Sequence, residues 1–193
     1  MKVEPVVLEG RAVRLEPLHE VHAEDLAEVA TEDLFVFHFP PRELSPQGFR
    51  EQIAGLGAAP DWLPFATVLQ ADGRAVGITC FLDIRPEHRS LEIGFTWVSK
   101  PFQGTEVNPE AKFLMLRHAF ETLGAIRVQM KTDERNLQSQ AAIAKLGAVR
   151  EGVLRKQMIL ADGHERNTVM YSITDDDWPE VRKKFEARLA KRT

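Results

Sequence analysis

The spacing of apolar residues changes several times along this chain, and each change marks an element. Residues 7–8 and 12–17 flank Glu9-Gly10-Arg11, the pattern of a short hairpin or strand start. Leu26, Val29 and Ala30 share one face of a helix over 23–30. Residues 31–44 hold Pro40-Pro41 and several aromatics and read as a loop. Ser45-Pro46 then supplies an N-cap and a first helical residue with a suitable fixed φ. Phe49, Ile53 and Leu56 repeat at helical spacing up to Gly57. The middle of the chain is β: residues 65–70 and 74–84 flank Ala71-Asp72-Gly73, a hairpin signal, and 90–98 follow a turn containing Pro86. The longest apolar helix is expected over 109–123, with Ala111, Leu114, Met115, Ala119 and Leu123 available for burial and Gly124 to end it. Residues 127–132 read as a strand, and 136–146 as a helix closed by Gly147. Residues 149–154, 157–160 and 166–173 read as three more strands, with Asp162-Gly163 turning the last pair. A terminal helix over 174–192 carries Asp175, Asp176 and Asp177 at its positive end.

This order of elements predicts an α+β layer architecture in a single domain over 1–193, with the last helix as its C-terminal part. The 193 residues, 44% of them apolar, are enough for one core. A net charge of −4 and a pI near 5.9 speak against a nucleic-acid partner, as does the lack of an aromatic-basic stripe. The basic residues Arg182, Lys183, Lys184, Arg188, Lys191 and Arg192 read as a solvated helix face. Cys80, the single cysteine, excludes an intramolecular disulfide and a zinc thiolate cluster, and in an apolar strand it reads as core. No apolar run is long enough for a membrane span, and the N-terminus lacks the order of a signal peptide, so a cytoplasmic protein without a membrane partner is expected. His19 and His22 lie three apart with no neighbouring Cys or HExxH arrangement, and no metal is expected.

Candidate chemistry begins at the strand over 90–98. Leu91, Ile93, Phe95 and Trp97 alternate with Glu92, Gly94, Thr96 and Val98, which predicts one apolar face and one carrying a carboxylate, a glycine and a hydroxyl. Gly94 inside a strand marks a close approach by a backbone or a ligand. The strand then runs through Gln103-Gly104-Thr105-Glu106-Val107-Asn108 into Pro109 and a helix start. A glycine turn before a helix gathers free N–H groups at a positive dipole end, which suits a phosphate. The stretch is neither a Walker loop nor a dinucleotide fingerprint. Asn136 and Ser139 open the next helix, where Asn136 serves equally as a cap or as a ligand contact.

These residues resemble the Gcn5-related N-acetyltransferases, and in detail their Rim-type branch of ribosomal-protein N-terminal acetyltransferases. The resemblance rests on residues 13–18 (VRLEPL), 91–98 (LEIGFTWV), 102–104 (FQG), 131–139 (KTDERNLQS), 145–147 (KLG), 152–155 (GVLR) and Asp162-Gly163. It covers about residues 10–177, nearly the whole chain. It implies the GNAT fold: a mixed, mostly antiparallel central sheet with helices on both faces and a splayed parallel strand pair. It further implies acetyl-CoA as cofactor, lying between the strands over 90–98 and 127–132. Carried over, Trp97, Val98 and Ser99 pair with the pantetheine, the segment Gln103, Gly104, Thr105, Glu106, Val107 and Asn108 holds the pyrophosphate, and Asn136 and Ser139 contact the cofactor from the following helix. Glu92 becomes the candidate base and Ser139 a candidate proton donor.

The chain departs from the family's pattern in two places. Glu106 stands where the branch has a second glycine, which makes Asn108 and Lys112 candidate compensating donors for the pyrophosphate. Ile143 stands where many members carry the tyrosine that protonates the leaving thiolate, and Met158 stands near a position where some carry a glutamate. The implied acceptor is a primary amine, foremost a protein N-terminal amine. A small-molecule amine such as an antibiotic or polyamine is the alternative, as is a CoA-binding module without catalysis. An exposed strand or the hairpin over 152–173 is available for a homodimer, as in some relatives.

Overall fold

The computed structural model describes residues 1–190 apart from His38 and Ala161, with the backbone alone for 188–190. Eight strands form one sheet: β1 (Leu8–Glu9), β2 (Val13–Pro17), β3 (Leu63–Leu69), β4 (Ala75–Arg85), β5 (Ser90–Val98), β6 (Arg127–Asp133), β7 (Val149–Ile159) and β8 (Glu165–Thr174). Their spatial order is β1-β2-β3-β4-β5-β6-β8-β7. Every neighbouring pair is antiparallel except β5 and β6. Five helices complete the fold: α1 (Ala23–Val29), α2 (Pro46–Ala58), α3 (Val107–Arg117), α4 (Leu137–Lys145) and α5 (Trp178–Ala190).

The elements end where local chemistry ends them. Ser45 caps α2, its hydroxyl accepting from the Gly48 N–H at 3.1 Å, with Pro46 at the first helical position. α3 starts at Val107, two residues before the expected Pro109, and beyond Arg117 it widens into a π-helical stretch over His118–Thr122. Gly124 and Gly147 then stop their helices with φ of +67° and +95°, values that cost an L side chain dearly. The terminal helix begins at Trp178, after Asp177 accepts from the Thr174 N–H and hydroxyl. The end of the expected 174–192 helix, Lys191 and Arg192, lies outside the described residues.

Hydrophobic side chains fill both faces of the sheet. Met115 of α3 packs in one core with Phe65, Phe81, Leu91, Ile93, Met130, Tyr171 and Ile173 of the sheet, on the side that α4 and α5 also cover. On the other side Phe49 and Ile53 of α2 and Leu26 of α1 pack with Ala66, Ile78, Cys80 and Trp97 of the sheet. Each large side chain so buried stabilises the fold by about 1.5–3 kcal/mol. Glu110 fastens α3 to the first hairpin: its carboxylate accepts from the N–H groups of Arg11, Ala12 and Val13 at 2.8, 2.7 and 3.0 Å. A side chain at Gly10 would collide with that carboxyl group and with the Val13 carbonyl.

Two expectations from the pattern are corrected. Leu91, Ile93, Phe95 and Trp97 do not share one face. The register between β4 and β5 slips between Ile78 and Cys80, and Phe95 takes a φ of +48°, so β5 holds one extra residue there. Leu91 and Ile93 therefore face α3, whereas Trp97 packs against Phe35 and Phe49 on the opposite side. Residues 149–154 and 157–160 are also not two strands but one, β7, with an irregular register between Leu154 and Met158 and a φ of +50° at Lys156. Arg155 and Lys156 read as a break because a bulge disrupts alternation without ending the strand.

Candidate active site

The bulge and the parallel pairing together open a fork. β5 and β6 pair only at Ser90↔Arg127, Leu91↔Val128 and Glu92↔Gln129. Beyond that point β5 runs on to Val98 beside β4, and β6 runs on to Asp133 beside β8. Ser99 donates its N–H to the Val76 carbonyl at 2.8 Å, on the β4 side. Backbone groups of an extended strand alternate in direction, so the Val98 N–H points into the fork. The Val98 carbonyl accepts from Gln103 Nε2 at 3.0 Å.

The turn after β5 leads directly into α3. Gly104 has a φ of +75° with open space where a side chain would stand. Thr105 closes the turn, donating to the Phe102 carbonyl at 2.7 Å and accepting from the Val107 N–H at 3.3 Å. Glu106 is the N-cap residue of α3, at the helix's positive end. Val107 is buried in the core, so of this segment it offers backbone only. Across the fork, Asn136 caps α4 by accepting from the Ser139 N–H at 2.9 Å. Ser139 is half-buried one turn in, and Gln138 reaches over to Gln103 at 3.5 Å. Ile143 is buried below them.

Among the described residues, Ser99 Oγ, Asn108 Oδ1 and Trp97 Nε1 in this region are buried and have no hydrogen-bond partner. A native interior rarely leaves such atoms unsatisfied unless something else binds there. Two of them, Ser99 Oγ and Asn108 Oδ1, lie at the end of β5 and the start of α3, where a polar ligand would meet them; the hydroxyl can donate or accept and the amide oxygen accepts only. These residues fit a ligand of the kind of acetyl-CoA: β5 backbone would face the pantetheine, the Gly104 turn and the first N–H groups of α3 would face the pyrophosphate, and the opening of α4 would form the opposite wall.

Lys112 is the one expected phosphate contact that the structure directs elsewhere. Its ammonium points under the sheet, donating to Thr96 Oγ1 at 2.6 Å and to Thr79 Oγ1 at 3.1 Å. One helical turn past the start of α3, its side chain faces the sheet rather than the Gly104 turn, and with 7% exposure it has little contact with solvent.

The opposite face of the fork is charged. Glu92 is 1% exposed, and its carboxylate accepts from Lys131 Nζ at 3.0 Å and Gln129 Nε2 at 3.2 Å. Burial pushes its carboxyl above the ordinary range, against the pull of Lys131 and Gln129. Gly94 leaves room for this carboxyl group: a Cβ would stand 2.8 Å from Glu92 Oε1 and push that side chain aside. The close approach that Gly94 signalled is thus the carboxyl group two residues earlier. Asp133 binds Arg135 through both oxygens. Arg166 is 7% exposed, with its Nε buried and unpartnered and its Nη1 3.6 Å from Met158 Sδ. It pairs across the ladder with Met158, so no acid faces it there. Sequence reasoning gave no role to Arg166, Lys131, Gln129 or Thr79. The signal for the first three was available in the alternation of β6 and β8, whose polar positions fall on the Glu92 face.

Elsewhere, His22 is buried against Glu16 at 2.8 Å and closes the turn before α1. Among the described residues no helix is long and apolar enough to cross a membrane, and no cluster of side chains has the make-up of a metal site.

Comparison with known proteins agrees with this geometry. The model of the acetyltransferase (GNAT) domain matches residues 12–149, and the chain belongs to that family of acetyltransferases, whose acyl donor is acetyl-CoA. An acetyltransferase structure from T. thermophilus is 42% identical, with a TM-score of 0.91 over 98% of this chain and all of that one. A GCN5-related N-acetyltransferase from Brucella melitensis is 28% identical, with a TM-score of 0.89 over 97% of this chain and 86% of that one. A Bacillus subtilis protein named as a ribosomal N-acetyltransferase, YdaF, is 28% identical over 107 residues, 55% of this chain and 57% of YdaF. The match thus spans less than two thirds of that relative's length, and its name agrees with a place near the Rim-type branch.

Proposed function

We propose that this protein transfers the acetyl group of acetyl-CoA directly to a primary amine, foremost the N-terminal amine of a protein. The observation that carries the reading is the fork itself. Its wall offers the Val98 N–H on one side, and a buried carboxyl with a raised pKa, Glu92, stands at its crotch. Acetyl-CoA supplies the activated carbonyl. The Val98 N–H is placed to donate to its oxygen as charge develops there. Glu92 takes up the proton that the attacking amine sheds, directly or through one water. Its raised pKa brings it closer to the working pH and makes it a better base than a surface glutamate.

The preference for a protein N-terminus rests on the Rim-type motifs and on the YdaF likeness. The charged face around Glu92, Lys131, Asp133 and Arg166 supports it by offering donors and acceptors for a peptide backbone beside the amine. A cytoplasmic setting belongs to the same reading. So does pairing of two copies along β7, the outer strand, where Val153, Leu154 and Ile159 are exposed. Ile143, in place of a tyrosine, is the observation that favours a non-catalytic CoA-binding module instead.

Titration with CoA, followed by mass spectrometry of a panel of peptides, polyamines and aminoglycosides incubated with acetyl-CoA, tests the proposal. Saturable CoA binding with acetylated peptide N-termini is expected. Saturable binding without any acetylated amine would leave the module reading standing, and no binding would remove both.

A further inference from the structure

Lys112 is a buried ammonium whose place the fold alone does not explain. Among the described residues it has no carboxylate partner; its two hydrogen-bond partners are neutral hydroxyls, Thr96 Oγ1 and Thr79 Oγ1, themselves 2.8 Å apart. Burying a charge this way is costly, and such groups are retained far more often at reactive sites than in plain cores. Burial lowers its pKa to about 7, with Cys80 the one titratable group that opposes the shift. Lys112 can therefore both hold and release a proton near neutrality.

Its position is equally specific. Thr96 is the residue after the bulge at Phe95, on the β5 arm of the fork and half-buried. It stands two residues before Val98 and meets Lys112 of α3, and Ile143 from α4 belongs to the same hydrophobic core as Val98. Ile143 occupies the place from which many relatives deliver a proton to the thiolate, and it has none to give.

We propose that Thr96 and Lys112 deliver that proton. The inference rests on the acetyl-transfer reading. As the amine nitrogen bonds to the carbonyl carbon and the carbon–sulfur bond breaks, the sulfur leaves with the electron pair. Thr96 Oγ gives it a proton and takes one from Lys112 Nζ. Lys112 is left neutral and regains its proton from solvent after the thiol departs. The proton lost by the amine goes to Glu92, so charge balances across the two faces of β5.

The test compares wild type with Lys112→Met, Thr96→Val and Thr96→Ser in two readouts. The first is the ultraviolet absorbance of the thiolate of bound CoA against pH, which needs no turnover. Lys112 is neutral at the pH where a thiol titrates, but the Thr96 hydroxyl that it holds can still donate to the thiolate and favour that form, so the bound thiol should titrate higher in Lys112→Met and in Thr96→Val. The second is kcat against pH. Wild type should lose activity as pH rises through about 7, as Lys112 gives up its proton. Lys112→Met and Thr96→Val should lose roughly 10²–10⁴ in kcat together with that alkaline limb, whereas Thr96→Ser restores both. A lysine that only clamps the bulge, through Thr96 to the Gly94 carbonyl at 3.2 Å, would change affinity and leave the thiol titration where it was. An unchanged titration and a surviving alkaline limb in variants that still bind CoA overturn this pair alone. Absence of CoA binding in wild type overturns the acetyl-transfer reading beneath it. If Lys112→Met fails to fold, Thr96→Val carries the same two expectations.

Discussion

Glu110 and Lys112 leave the same helix two residues apart and are buried to nearly the same degree, at 5% and 7% exposure. Glu110 faces the first hairpin and has its two oxygens occupied by three backbone N–H groups. Lys112 faces the fork and finds two hydroxyls. At the hairpin the fold supplies every partner that a buried charge requires. At the fork, among the described residues, Lys112 meets no carboxylate and Arg166 keeps an unpartnered Nε, while Glu92, though paired with Lys131 and Gln129, is held with a raised pKa. A buried charge that the protein itself satisfies holds structure together. One left partly satisfied costs stability and is retained for what it does to another molecule.

Four substitutions break or sharpen this contrast. Glu92→Gln should have the largest effect, a fall in turnover of about 10²–10⁴ at neutral pH. It should cost little stability. The folded-state pKa of Glu92 lies above its unfolded value, so its burial disfavours folding increasingly as pH rises from the ordinary carboxylate range through the folded pKa. A neutral isostere removes that penalty while losing the Lys131 pair. A denaturation midpoint that collapses along with activity would make Glu92 a structural group after all.

Lys112→Met comes next, and here the effect is a gain. Its folded pKa is about 7, against roughly 10.4 unfolded, so the unfolded chain binds more protons between those values. Wild-type stability should therefore rise with pH across that window. The variant should gain up to roughly 4 kcal/mol at pH 7 and lose the slope. Urea titrations at pH 7 and 10 measure both. If wild type shows no slope, Lys112 is not the unpaired buried cation inferred from its contacts.

Glu110→Gln should act in the opposite sense. An amide has one acceptor oxygen for three N–H groups and brings two hydrogens into the same space. A loss of about 2–3 kcal/mol is expected, read as a lower thermal midpoint, with CoA affinity per folded molecule unchanged. Asn136→Ala should have the smallest effect, about 1 kcal/mol for a lost cap. CoA affinity decides whether Asn136 does more than cap: a several-fold loss beyond the stability change assigns it a ligand contact.

Much of this arrangement was legible in the order of residues. Ser45-Pro46, Gly124, Gly147 and Asn136 mark element ends through chemistry confined to three or four residues, which any chain context leaves in force. The strand over 90–98 was read to the residue, because turn signals bound it on both sides. The direction of side chains after Phe95 could not be read in that way. A bulge is a mismatch between two strands, and its partner residues, Ile78 to Cys80, lie some fifteen positions earlier. The alternation therefore assigned Trp97 to the wrong face and gave no sign that Thr96 would meet Lys112. The same blindness joined neither half of β7 and left Glu110 without a role, since its three N–H partners come from a turn nearly a hundred residues away.

The sequence by itself determined which elements exist, where they stop, and that a glycine turn and a capped helix flank two central strands. These follow from short-range sterics and from hydrogen bonds within a turn of chain. Only the tertiary structure decided that the strands part after Glu92, that Gly94 makes room for a carboxyl group, and that Lys112 of α3 lies beneath the fork with no carboxylate partner among the described residues. Those outcomes depend on register and on desolvation, and both are properties of segments brought together from distant parts of the chain.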